Sequence, residues 1–356
     1  MRNRLLIVCG VLTIAAATAL PGAENRRTPD GHPDFSGTYD IATQTPLTRP
    51  ASLGERLSLT DEEAKAMAKA IADQKAKRNR ASDPNRAAPP AGGDGSEGAA
   101  GNVGGYNTLW DDNGEGAFKI DGQWRTSIII DPKNGRMPEM TPEARKRAAE
   151  RGRANRPNRG DAWWIKENVT PGPYDDPEIR SQAERCLLGF GSSAGPPALP
   201  VLYNNLKQIV QTKDTVMILN EMVHDVRIVR MNAKHDPPDV RRWVGDSVGH
   251  WEGETLVVDT TNFTSQPALF GASGSLHVIE RFSREDDKSL RYKFTVEDPT
   301  VWTASWTGEY VWPATDNRIY EYACHEGNYS FANILRGARL LEAEAMKKGA
   351  PRKQED

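Results

Sequence analysis

Short runs rich in β-branched and aromatic residues recur through the second half of the chain, and this recurrence limits the fold more than any other feature. The runs are Leu206–Gln211, Thr215–Met222, Val226–Met231, Glu254–Phe263, Ser275–Ser283, Leu290–Val296, Val301–Trp312 and Arg318–Cys324. Gly, Asp, Asn and Pro separate most of them. Such spacing predicts a mainly β architecture, an antiparallel barrel or sandwich. Alternation is cleanest where Leu290, Tyr292, Phe294 and Val296 share one face, with Arg291, Lys293, Thr295 and Glu297 opposite. The polar stretches between runs lack the pattern of crossover helices in a parallel sheet.

Around this core the sequence predicts peripheral helices. Thr60-Asp61-Glu62-Glu63 fits a capping box, followed by a thin apolar stripe of Ala64, Met67, Ala68 and Ile71. Thr141-Pro142-Glu143 caps a second helix, over about 141–156. Seven Arg or Lys against two Glu between Thr141 and Gly160 make it basic. It is either a dock for an acidic partner or anionic glycan, or a solvated face. Trp124–Ile130 reads as a further strand. Asn328 stands where it can cap a C-terminal helix striped by Phe331, Ile334, Leu335, Ala338 and Leu341. That helix is expected to pack on the sheet or close one end. Residues 87–105, with seven Gly and five Ala among 19, read as a flexible linker within an insertion at about 54–120. The rest, 24–356, reads as one β-rich domain.

The first residues predict export. Arg2 and Arg4 precede the apolar run Leu5–Ala17, and cleavage sites follow at Ala19 or Ala23. The run is shorter than the roughly 20 residues a membrane span needs. Cys9 lies within it after Val8, which is unsuited to lipidation. A periplasmic or secreted protein is expected, with no membrane span after cleavage. The 46 Lys and Arg against 49 Asp and Glu, net −3, give no electrostatic ground for a nucleic-acid partner. Mean hydropathy of −0.65 excludes a polytopic membrane protein. Loss of the leader leaves Cys186 and Cys324, which an oxidising compartment allows to join in a disulfide, the alternative being two buried free thiols.

Several motifs touch on chemistry. Gly191-Ser192-Ser193-Ala194-Gly195 matches a nucleophile elbow, and Gly189-x-Gly191-x-x-Ala194 a dinucleotide loop. Pro196-Pro197 forbids the helix that either requires. Glu221-x-x-His224 has helical metal spacing but lies in strand-like sequence, where residues three apart face opposite ways. The same geometry argues against a His224–Asp225 dyad unless a turn intervenes. Glu280 falls among Leu276, Val278 and Phe282. It is either a tuned acid/base or metal ligand, or half of a buried pair with Arg227. His325 and Glu326 follow Cys324 on a turn that the disulfide would fix. They are either acid/base groups or the approach to the terminal helix. Trp302, Trp306, Tyr310 and Trp312 share one strand parity, with Ala304 and Gly308 between. They form either a platform for a sugar or aromatic ring, or an aromatic core.

Asp34–Tyr39 is loosely similar to the Gly-x-Trp opening strand of lipocalin-like barrels. The segments Glu221–Arg227, Trp251–Val258, Leu276–Arg281 and Tyr322–Tyr329 resemble a family of secreted bacterial proteins of unknown function. The resemblance implies no activity. From the residues alone, the expectation is an extracytoplasmic enzyme performing hydrolysis or elimination on a carbohydrate or aromatic small molecule. His224, Glu280, His325 and Glu326 would be catalytic, and Arg281, Trp302, Trp306 and Tyr310 would hold substrate. The alternative is a non-catalytic ligand carrier. No cofactor is expected; a transition metal on His224, His277 and His325 stays open.

Overall fold

The computed structural model describes residues 26–80, 85, 87, 111–154, 156, 160–269 and 271–349. The leader and nearly all of the 87–105 linker lie outside the described residues. Ten strands form one curled sheet, a half-barrel. In spatial order they are β1 (Gly37–Asp40), β6 (Leu206–Gln211), β7 (Thr215–Asn220), β8 (Val226–Met231), β9 (Asp246–Glu252), β10 (Thr255–Thr261), β11 (His277–Asp286), β12 (Ser289–Glu297), β13 (Trp306–Pro313) and β5 (Ile129–Asp131). All neighbours are antiparallel except β8 and β9. The two outer edges approach each other. Tyr39 bridges Ala314, and the Thr315 amide donates to the Thr38 carbonyl at 2.9 Å. A small sheet of β2 (Ser58–Leu59), β4 (Gln123–Arg125) and β3 (Lys119–Ile120) adjoins it.

The concave face carries the main core. Leu290, Tyr292, Phe294 and Val296 point into it as their alternation requires, beside Val278, Phe282, Val258, Trp306, Tyr310 and Trp312. Trp302 precedes β13 in a turn and is buried beside Trp306. The space expected between the β13 rings is filled. A Cβ on Gly308 would meet the Phe294 ring at 2.4 Å. Trp302, Trp306 and Tyr310 are therefore core residues, not an open platform.

Helix α1 (Asp61–Arg78) starts with the expected capping box on Thr60 and Glu63, and only Ala64 of it is buried. Helix α2 (Pro142–Ala154) is capped by Thr141, whose Oγ1 accepts from the Ala144 amide at 3.1 Å. The terminal helix α4 (Tyr329–Lys347) departs from expectation. It packs on the short α3 (Trp163–Lys166), where Ala338, Ala345, Ile334, Leu335 and Leu341 meet Trp163, Trp164 and Tyr174 in a second core. Trp164 Nε1 donates to Glu342 there at 2.7 Å. Asn328 precedes α4 without capping it by side chain, and donates instead to the Glu184 carbonyl at 2.8 Å.

Two strand readings change. Residues 318–324 are irregular, held by the Tyr320 amide on Glu221 and by the Cys186–Cys324 disulfide. Trp124–Ile130 divides between β4 and β5. The disulfide itself is as expected, with Cα atoms 5.7 Å apart.

Candidate functional site

The residues expected to act together occupy different surroundings. Glu280 points into the concavity at 0% exposure, and Arg227 meets it across the half-barrel through two hydrogen bonds of 2.5 and 3.0 Å. Tyr292 donates its hydroxyl to Glu280 at 2.6 Å. This is the buried pair that the sequence held open as the alternative, its carboxylate shut off from solvent. His325 and Glu326 lie in an exposed turn, and among the described residues no hydrogen bond joins them to Glu280. Arg281 faces the convex side and pairs with Glu252 at 2.6 Å. A 3-10 turn, Met222–His224, does intervene before Asp225, with Val223 at φ 59°. The His224 side chain lies outside the described residues.

The concave end also holds the segment after Cys186. Lys207 Nζ donates to the Ser193 carbonyl at 2.7 Å, and Tyr310 donates to the Ala198 carbonyl at 2.8 Å. The Ala198 amide donates to the Tyr292 hydroxyl at 3.0 Å. Ser193 is fully buried, with residues 192–199 around it, so it is not an exposed nucleophile.

A different group of side chains has the geometry of a working site. Because β8 and β9 are parallel, the chain must cross over between them. Residues 232–245 do so and lay His235 on the convex face. There β10 presents Asp259, β11 His277 and β12 Glu297, each one residue out of phase with the core positions Val258, Val278 and Val296. Register places His277 directly opposite Glu297. His277 Nδ1 lies 3.0 Å from Glu297, and its Nε2 lies 3.1 Å from both Asp259 oxygens. From the other side His235 Nε2 lies 3.0 Å from Asp259, with its Nδ1 3.0 Å from Asp246. Asp246 also accepts from Arg230 and Arg242, each at 2.9–3.0 Å. The result is a continuous string, Glu297–His277–Asp259–His235–Asp246, whose histidines are 28–30% exposed.

His277 is set between two acceptors. Both ring nitrogens face carboxylate oxygens, an arrangement that favours the doubly protonated ring over either neutral tautomer. The hydrogen bond to Asp259 raises the His277 pKa against the opposing effect of burial, and Glu297 adds to the rise. Burial works against the Asp259 carboxylate, but His277 and His235 outweigh it and lower its pKa. Burial likewise opposes charge on Asp246, and the Asp236 amide, His235 and the two arginines overcome it. An imidazolium between carboxylates, open to solvent on one side, can hand a proton to a substrate oxygen.

Among the described residues no set of three His, Cys, Asp or Glu has the arrangement to hold a metal ion. A cleft of about 310 Å³ opens elsewhere, beside Arg26, Arg27, Glu254, Arg284 and Asp286. Its charges are turned on one another, Arg27 to Glu254 at 2.7 Å among them.

In the sequence His277 stands out as a possible metal ligand, Glu297 only as a polar-face residue, and His235, Asp259 and Asp246 carry no mark of a site. One signal was available. Strict alternation in β11 and β12 puts His277 and Glu297 on the polar face, opposite Val278 and Val296. The contribution of His235 depends on the crossover, which no local pattern reveals. No protein-family model, curated protein or solved structure matches the chain.

Proposed function

We propose that this protein is an extracytoplasmic acid–base enzyme, a hydrolase or lyase, whose working groups are His277 and Asp259. One observation carries the reading. A partly exposed histidine is held at both ring nitrogens by carboxylates, and the shared carboxylate is oriented by a second histidine. A substrate oxygen that displaces Asp259 from His277 Nε2 receives that N–H as a general acid contact. Asp259, freed at that moment but still held by His235, takes up the proton released from water or from substrate carbon. Glu297 and Asp246 keep the two rings oriented, as second carboxylates do for catalytic histidines. The substrate is a small molecule reached from the convex side. The carbohydrate-or-aromatic specificity loses its platform, because Trp302, Trp306 and Tyr310 are in the core.

The test is a turnover screen of the mature protein on glycan, glycoside and phenolic ester libraries, followed by variants on any substrate found. H277Q and D259N are expected to lose about 100-fold or more in kcat while still folding. E297Q is expected to lose less and to shift the pH profile downward. Full activity in both H277Q and D259N would overturn the assignment.

A further inference from the structure

The concave end of the half-barrel is lined with polar groups that an apolar core does not call for. Lys207 and Asn220 stand opposite each other in register on β6 and β7, and both are fully buried. Arg227, Glu280, Tyr292 and Tyr310 complete the lining. What they hold is the chain's own backbone. Lys207 donates to the Ser193 carbonyl, Asn220 to the Ala194 carbonyl at 3.4 Å, and Tyr310 to the Ala198 carbonyl, while Tyr292 accepts from the Ala198 amide. Four side chains thus spend their hydrogen bonds on residues 193–198.

That segment is built almost wholly of small residues. Gly191 through Ala198 contains two Gly, two Ser, two Ala and two Pro. Phe190 before it is 48% exposed and rests on Tyr203, whereas Ala198 and Leu199 at its other end are buried in the main core. The apolar hold is thus at the C-terminal end, and residues 191–195 themselves offer little apolar area. It is hinged at one end by the Cys186–Cys324 disulfide and at the other by β6. Further polar atoms around it are buried and unpartnered: Ser193 Oγ, Asn220 Oδ1 and Arg227 Nε. Burial leaves the Lys207 ammonium poorly compensated. Its pKa is brought down to about 7 although Glu221 and Asp225 act to raise it. A ligand that supplied a negative oxygen to Nζ would remove this deficit.

We propose that residues 190–198 are a displaceable plug, and that the concavity beneath is a binding site for a carboxylate-bearing small molecule whose oxygens replace the Ser193 and Ala194 carbonyls on Lys207 and Asn220. Arg227 is committed to Glu280, so Lys207 is the cation that selects the acid. Tyr292 and Tyr310 hold the plug closed. The site is separate from the His277–Asp259 string and stands or falls without it.

The test uses the full mature protein with its disulfide intact. Benzoate and decanoate serve as probes, and benzyl alcohol and decanol as uncharged controls. Binding is read by calorimetry, and plug displacement by amide hydrogen exchange over 189–199. Carboxylates are expected to bind, the alcohols not, and exchange over 189–199 is expected to rise on binding. K207M should lose binding. Y310F removes a plug contact and keeps the proposed ligand contacts, so it should bind about fivefold tighter, the factor for one ordinary hydrogen bond. Y310F also keeps the test valid if K207M does not fold. Failure of both acids to bind wild type and Y310F would overturn the proposal, as would binding that leaves exchange over 189–199 unchanged or reduced.

Discussion

Removing the charge of Glu280 isolates the strongest polar contact in the half-barrel. In E280Q the Arg227 guanidinium stays where it is, 3% exposed, but faces a neutral amide in place of a carboxylate held by two hydrogen bonds. Solvent cannot reach the site to screen the charge, so the cost is that of stranding one partner of a buried pair, about 3–5 kcal/mol. Gln can still accept from Tyr292, so no separate penalty arises there. R227M/E280L removes both charges and leaves the Tyr292 hydroxyl without its acceptor, a cost of about 1–3 kcal/mol. The double variant is therefore expected to be more stable than E280Q. Urea unfolding at pH 7, with comparable slopes across the set, measures both. A loss under about 1 kcal/mol in E280Q, or a double variant less stable than the single, would refute the reasoning. E280Q is also expected to retain any turnover that depends on His277, because the two side chains lie on opposite faces of β11.

The relay gives stability a pH dependence on both sides of neutrality. His277 has a raised pKa in the folded protein, so its contribution is complete below the ordinary histidine value of about 6.5 and lost as pH climbs through the folded value. Asp259 and Asp246 have lowered pKa values, so theirs is present above the ordinary aspartate value of about 3.9 and lost as pH falls through the folded values. H277Q is expected to flatten the alkaline limb of a Tm-against-pH curve. Gly308→Ala drives a methyl into the Phe294 ring and is expected to cost about 1–3 kcal/mol by urea unfolding. Gly337→Ala, inside α4 with open space around it, is expected to gain about 0.5–1 kcal/mol in the same assay. Reduction of Cys186–Cys324 is expected to cost about 2–5 kcal/mol, and hydrogen exchange should show the His325 turn loosening before global unfolding.

The fold was legible where each element carries its own pattern. β12 alternates strictly, α1 has its capping box, and α2 has Thr141 and Pro142. β9 was not legible, because Asp246–Glu252 carries acids and a glycine in place of an apolar alternation. Gly249 is required there, since a Cβ would meet Val229 and Met231 at 2.8–2.9 Å. Residues 318–324 carry β-prone residues but no strand lies beside them to pair with. The aromatic parity of β13 was correct and its meaning was not. Only the register with β12 shows that Phe294 fills the gap at Gly308. The buried partner of Glu280 was legible, whereas the convex string was hidden, because its members come from β9, β10, β11, β12 and a crossover. Their meeting depends on strand order.

In the proposed site His277 is an imidazolium held by Asp259 and Glu297. Nitrogen-15 NMR of the His277 ring, titrated in wild type and D259N, tests it most directly. In wild type the ring is expected to lose its second proton above the ordinary histidine midpoint of about 6.5, and D259N is expected to bring the midpoint down. A single protonated nitrogen at neutral pH, with the same midpoint in both proteins, would contradict it.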